Sequence, residues 1–249
     1  MAADRQLPVL LINIERAAAR RQLIEGQALE LDIRLLPIAG VDGATVPQEQ
    51  WRDVDLDLFR RRNGRPMMPG EYGCYRSHLR ALSYLVENGL EAAIIIEDDV
   101  ALSRDLMQRA GGIVEAMPHD GVVKLVNHRT VGFRPLFASR LGDRIGYSRF
   151  GPQGSSACYV VTRRAAEQLL SGMLPQSLPL DSALERSWDH GVPIYTTATN
   201  VIDFGALRND TLIASQADYR GLKLRGLKKM PTHLFRVREA LRRARATFF

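Results

Sequence analysis

Short apolar runs alternate along this chain with longer stretches in which apolar residues recur every three or four positions. "PVLLINI" (8–14) is apolar on both faces and β-branched, which predicts a strand buried on both sides. "ERAAARRQLIEGQALEL" places Ala and Leu at helical spacing, and "IRLLPIAGVDG" reads as a second strand ending in a Gly/Asp turn. Strand, helix, strand predicts a βαβ unit and a parallel sheet. "GEYGCYRSHLRALSYLVENG" predicts a helix entered after Pro69 and closed by Gly89. Four more strands follow in "AAIIIEDD", "GVVKLV", "SSACYVV" and "VPIYTT". Between them lie helices in "SRDLMQRAGGIVEAM", with Ser103 as N-cap, in "TRRAAEQLLSG" and in "LPLDSALERSWDHG". Two segments break the rhythm: 44–69, read as a small helix plus a mobile loop, and 129–149, read as a hairpin lying across the sheet. The alternation runs from 8 to about 197 without a linker. It predicts one α/β domain over 1–218, a Rossmann-type, mostly parallel sheet flanked by helices, with a basic helical extension over 219–249.

Charge sharpens that division. The 249 residues carry 34 basic and 28 acidic side chains, a net +6. Residues 223–249 hold nine Lys/Arg and one Glu, so the other 222 residues, with 25 basic and 27 acidic, are nearly neutral. The basic character therefore belongs to the tail, and no cationic groove for nucleic acid is expected across the body. From Leu234, the tail's Val237, Leu241, Ala244 and Phe248 fall on one helical stripe, and Arg236, Arg238, Arg242, Arg243 and Arg245 lie mostly elsewhere. That pattern fits an interfacial helix on an anionic membrane; a helix packed on the body or a disordered tail are the other readings. No aromatic stacking platform accompanies the cations, so nucleic acid is not an expected partner. No run of about 18 apolar residues is present to span a bilayer. "MAADRQLPVLLINIER" lacks the basic start and longer apolar core of a secretion signal, which predicts a cytoplasmic protein. Two cysteines, Cys74 and Cys158, fit a reducing compartment as free thiols, with a single disulfide as the other possibility.

The candidate chemistry centres on Glu97, Asp98 and Asp99, attached to the apolar run "AAIII". Along a strand, successive side chains oppose each other, so Glu97 and Asp99 share a side that Asp98 does not. Ligands of open parallel sheets sit beyond the carboxyl ends of the strands, where this triplet stands. Clustered carboxylates repel one another unless a cation compensates, and Mg²⁺ or Mn²⁺ takes oxygen ligands that it shares with phosphates. The alternative is an acidic helix start favoured by the helix dipole. A second functional alternative is a receiver-like, Mg²⁺-binding phosphoacceptor domain, with Asp143 at roughly the required spacing. Asn13 ends the first strand as either a turn cap or a contact to a base or ribose. Lys124 interrupts "VVKLV" as either a snorkelling or edge-strand residue or a buried cation paired to the acids or to phosphate. In "GPQGSSACYVV", Gly154 and Ser155 precede a strand where backbone can approach a sugar closely, or form an ordinary loop.

The segments "VLLINIERAAARR", "IAGVDG", "GEYGCYRSHLRAL", "AIIIEDDV", "VVKLV", "SSACYVVTRRAAEQLL" and "LPLD", in that order, resemble glycosyltransferase family 25, the lipopolysaccharide and lipooligosaccharide glycosyltransferases. The resemblance covers 8 to about 197. It implies a GT-A-like fold, a divalent metal (Mn²⁺ or Mg²⁺), and inverting transfer of a hexose, commonly galactose, from a UDP-sugar to a growing surface saccharide. It implies a D-x-D-type role for the triplet, with Asp99 and Glu97 as metal ligands, Glu97 also available to ribose, and Glu in place of the first Asp. It favours Arg21 over Arg20 at the diphosphate, gives Ser77 and His78 a place at the donor, and sets Asp181 at the family's Pro-x-Asp position. An inverting transfer needs a base for the acceptor hydroxyl; Asp181 is the candidate, with helix capping as its other role and Asp189 as a weaker alternative. A lipid-linked acceptor would place the enzyme on the inner face of a bacterial inner membrane.

Overall fold

The computed structural model describes residues 7–206, 222, 224 and 226–248. β1 (Val9–Asn13) offers solvent no polar side chain before Asn13, and it is buried between two strands. α1 (Ala18–Glu30) returns the chain to β2 (Leu35–Ala39), parallel to β1. The irregular stretch that follows holds α2 (Leu56–Asn63), and α3 (Pro69–Glu87) begins with Pro at its first turn and Glu71 accepting a hydrogen bond from the Met68 N–H. Then come β3 (Ala92–Glu97), the two-residue β4 (Val100–Ala101), α4 (Leu106–Ala116) and β5 (Val122–Lys124). β6 (Val131–Ala138), β7 (Arg144–Phe150), β8 (Cys158–Thr162) and α5 (Arg163–Gly172) follow. The chain continues through α6 (Leu180–Leu184), α7 (Ser187–His190), β9 (Ile194–Thr197) and β10 (Asp203–Phe204) to α8 (Met230–Phe248).

The main sheet runs β2-β1-β3-β8-β5-β9-β7-β6. The β1–β2, β1–β3 and β5–β9 ladders are parallel, whereas β8 and β7 run against their neighbours, so the sheet is mixed rather than mostly parallel in its pairings. Alternation splits the core. Leu10, Ile12 and Ile95 meet α3, α5 and α6 on one face; Val9, Leu11, Ile94 and Ile96 meet α1 and α4 on the other. Ile94, Ile95 and Ile96 are fully buried, at roughly 1.5–3 kcal/mol each. That burial anchors the end of β3 and, with it, the acids that follow.

Three expectations change. The hairpin of β6 and β7 extends the sheet edge through β9 instead of crossing the sheet. Ser103 caps no helix: α4 starts at Leu106, and Ser103 Oγ donates to the Val201 carbonyl. The helix expected over 178–191 breaks into α6 and α7, where Glu185 turns inward to Lys124 and Arg186 turns to Asp189 and Glu239. For the basic tail, the alternative of a helix packed on the body describes one of its sides: α8 lies on the body, with Thr232 Oγ1 donating to the Arg61 carbonyl at 2.8 Å. The proposed boundary at 218/219 and the side chain of Phe248 lie outside the described residues. Both cysteines are free, and no described helix is long and apolar enough to cross a membrane.

Candidate functional site

Parallel pairing of β1 and β3, with Ile12 opposite Glu97, brings both carboxyl ends to one rim. β8 runs the other way, with Cys158 opposite Ile96, so its entry loop, 151–157, arrives at the same rim. The buried face of α3 adds Cys74, Ser77 and His78. Close backbone contact sets this helix: a side chain on Gly73 would collide with the Val41 carbonyl at 2.4 Å, and one on Gly43 with the Pro69 carbonyl at 1.8 Å.

The three acids do not form one ligand set. Asp98 turns towards β1 and α1, accepting from Asn13 Nδ2 and from Arg20 Nη1 (3.1 Å). Burial raises its carboxyl above the usual range despite those two donors. Glu97 points the other way and accepts from Ser156 Oγ (3.1 Å) and His78 Nε2 (3.2 Å). Burial alone would raise Glu97, but the hydrogen bonds of His78 and Ser156, with the charges of His78 and Arg20, hold it below its ordinary value. Tyr159 Oη meets His78 Nδ1 at 2.9 Å, so both ring nitrogens are engaged.

Two recesses meet at this rim. The narrower, about 110 Å³, is lined by Asn13, Arg16, Arg20, Asp42, Ser77 and Asp98. The second, about 450 Å³ and within the size range of small-molecule sites, is lined by Arg65, His128, Ser155, Ser156, Asp181 and Phe204. Glu97, Asp99 and Cys74 line both. His128 stacks on Phe204 with ring centroids 4.9 Å apart, giving the second recess an aromatic wall. Asp181 sits in the first turn of α6, accepting from the Ser182 N–H at 2.7 Å. Burial raises its carboxyl and Glu185 adds to that, outweighing Lys124. Burial first, then the charges of Glu97, Asp181 and Asp99, pushes the Cys74 thiol well above its usual value. Glu97 and Asp99 thus bring two carboxylates to the wall shared by the two recesses.

The remaining residues divide between the recesses and the fold. Arg21 points outward, 4.0 Å from Glu25 and about half exposed, and it is Arg20 that enters the site. Lys124 is fully buried, yet its partners are Glu185 (2.6 Å) and the Gly154 carbonyl (3.0 Å), not the triplet. Ser77 spends its hydroxyl on the fold, accepting from the Val41 N–H and donating to the Gly73 carbonyl, both at 2.7 Å. Gly154 adopts φ +70°, where a side chain would strike His128, and its N–H donates to Glu185 Oε1. Ser155 lines the second recess. Asp189 pairs with Arg186 at 2.6 Å outside both recesses, and His190 is held by the Leu184 carbonyl and the Val192 N–H. Asp143 is bound by Arg109 and Ser139 in the β6–β7 turn, far from the receiver arrangement. Sequence reasoning missed Arg16, Arg65, His128, Ser156 and Phe204. Ser156, adjacent to the chosen Ser155, was within reach of strand alternation had the direction of β8 been legible.

The family model for glycosyltransferase family 25 (LPS biosynthesis protein) matches residues 6–184. The chain belongs to glycosyltransferase family 25. It is 24% identical over 228 residues to procollagen galactosyltransferase 1 of Danio rerio, covering 86% of this chain and 37% of the relative. It is 26% identical over 231 residues to probable inactive glycosyltransferase 25 family member 3 of Bos taurus, with the same two shares. Over 197 residues it is 26% identical to a glycosyltransferase 25 family member of Anopheles gambiae, covering 73% of this chain and 32% of that one. The chain thus spans about a third of the length of these curated relatives. The matched 6–184 includes every acid of the shared wall and Asp181.

The donors present decide which metal the site could hold. Among the described residues, Cys74, His78 and Glu97 bring ligand atoms within 4.8 Å of one another. The raised thiol and the doubly engaged imidazole make that group a poor soft-metal site. Glu97 and Asp99, on the wall shared by the recesses, offer oxygen donors of the kind a hard divalent cation takes.

Proposed function

We propose that this family 25 member is a GT-A-like hexosyltransferase, moving galactose or glucose from a UDP-sugar to a saccharide acceptor of the lipopolysaccharide or lipooligosaccharide type, with inversion. One observation carries the reading: two recesses share a wall of Glu97 and Asp99, and Asp181 lines the second. Since one matched relative is named probable inactive, the carboxylates, and not membership alone, support activity.

The nucleotide would occupy the narrower recess, against Asn13 and Arg20, with the sugar reaching past Asp99 into the wider one. His128 and Phe204 suit the apolar face of a sugar ring there. Asp181 accepts the proton of the acceptor hydroxyl as that oxygen bonds to the anomeric carbon. The bond from that carbon to the β-phosphate oxygen breaks, and UDP leaves with the electron pair. A carboxyl raised by burial is a better base at neutral pH than an ordinary one. Glu97 and Asp99 would hold Mn²⁺ or Mg²⁺, which when bound offsets charge developing on a diphosphate. His78 and Ser156 keep Glu97 ionised and oriented.

UDP-glucose, UDP-galactose and the UDP-N-acetyl sugars, each tested with Mn²⁺ for donor hydrolysis and thermal stabilisation, check the reading. One UDP-hexose should raise the melting temperature in a metal-dependent way. Asp99→Asn should abolish that shift and transfer while the protein stays folded; full activity in that variant would remove the assignment.

A further inference from the structure

The C-terminal helix turns its apolar side outward. α8 contacts the body through Thr232, through Phe235, through Glu239 paired with Arg186 (2.7 Å), and through Arg243 paired with Glu185 (2.9 Å). At about 100° per residue these share one side. Met230, Leu234, Val237 and Leu241, spaced four, three and four apart, share the opposite one. They are 56%, 61%, 59% and 66% exposed, and Leu227, one turn earlier, is 85% exposed. A surface helix ordinarily buries its apolar stripe; this one buries ion pairs and presents the stripe. Exposed Arg238, Arg242 and Arg245 flank it along one side.

We propose that this face docks the protein on an anionic membrane surface, with α8 lying in the plane of the interface. Apolar side chains of such helices enter the boundary between headgroups and acyl chains by about 5–10 Å, while a rim of cations meets anionic lipid. A second copy of the chain fits less well. Two such faces would oppose their arginine rows, and the one acid of the helix, Glu239, is already paired inward. One stripe of four side chains also falls short of the roughly 800 Å² per partner of a standard interface.

The inner side of the same helix reaches the site. Arg243 holds Glu185, whose carboxylate accepts the N–H groups of Gln153 (3.0 Å) and Gly154 (3.1 Å), and that loop continues to Ser155 and Ser156 at the second recess. Docking would bring the protein to the surface that carries a lipid-linked acceptor. That consequence rests on the transferase reading; the docking does not.

The test is co-sedimentation of the full chain with phosphatidylcholine vesicles, with and without phosphatidylglycerol. Binding is expected with the anionic vesicles only, and it should fall steadily with added NaCl, a measurement that needs no variant. The double substitution Leu234→Glu/Leu241→Glu should weaken binding by about tenfold or more and leave the melting temperature and transfer to a soluble acceptor unchanged. Vesicle binding without any transfer still supports docking and counts against the transferase alone. Salt-independent binding, no binding to anionic vesicles, or a dimer in solution that the double substitution dissolves would overturn the proposal.

Discussion

Asp181 and Glu185, one helical turn apart, are driven in opposite directions by their surroundings. Burial raises Asp181, and its neighbour Glu185 repels it further. Burial also acts on Glu185, but Lys124 and Arg243 outweigh it and hold its carboxyl low. The signs for stability follow. A raised carboxyl binds its proton more tightly in the folded state, so stability falls as pH rises through the folded pKa. Asp181→Asn should therefore melt at or above the parent at neutral pH and lose that advantage in acid, while transfer drops by about 10²–10⁴-fold. Glu185 stabilises fully above the ordinary carboxyl pKa, and the contribution is lost as pH falls through its lowered value. Glu185→Gln leaves Lys124 buried without its counter-charge and should cost on the order of 3–5 kcal/mol, read by urea unfolding from neutral to acid pH. The adjacent arginines separate in the same way. Arg20 and Asp98 are each 9% exposed, so Arg20→Ala should cost several kcal/mol and weaken UDP binding. Arg21→Ala should stay within about 0.5 kcal/mol in the same two measurements. The sequence shows two neighbouring arginines, but a step of one residue turns a helical side chain by about 100°, and only the placement of α1 against β1 decides which faces the acids.

Elements were more legible than their directions. The apolar runs of β1, β3, β5, β8 and β9 and the three-to-four periodicity of α1, α3, α4 and α5 are properties of the chain alone, and each appears close to where its pattern lies. A run such as "CYVV" reads the same whether the strand points up or down, so the reversal of β8, which delivers Ser156 to Glu97, was not visible. The break between α6 and α7 was hidden for a different reason. It follows from a long-range demand, the burial of Glu185 between Lys124 of β5 and Arg243 of α8. That clamp predicts a coupling between elements. Arg243→Ala removes a charged hydrogen bond, a loss of about 1.5–3 kcal/mol, from the carboxylate that fixes Gln153 and Gly154. Amide exchange at those two residues should quicken, and transfer should fall by less than in Asp181→Asn. Unchanged exchange would show that the loop is held by other contacts.

At the scale of the whole chain, the split between a near-neutral body and a cationic tail was plain in the sequence, but the two-sided use of the tail was not. A helical stripe seen without its surroundings cannot say which side meets the body, because ion pairs buried by α8 and arginines left in solvent are the same residue type. The structure makes α8 part of the fold as well as a surface. Removing 226–249 would take away Thr232, Phe235, Glu239 and Arg243 together. Arg186, only 6% exposed at its side chain, would lose Glu239, and Glu185 would lose Arg243 and keep the ion pair with Lys124. The truncated chain should melt well below the parent and bind UDP-sugar poorly even with no membrane present. Leu234→Glu/Leu241→Glu should keep both properties and lose only the vesicles. Deletion therefore confounds anchoring with integrity, and the surface substitution separates them. Thermal melts and donor titrations of both variants in detergent-free solution decide the point: a truncated chain that melts and titrates like the parent would show that α8 is an appended tail, and the coupling from membrane through Arg243 to the sugar site would have no structural basis.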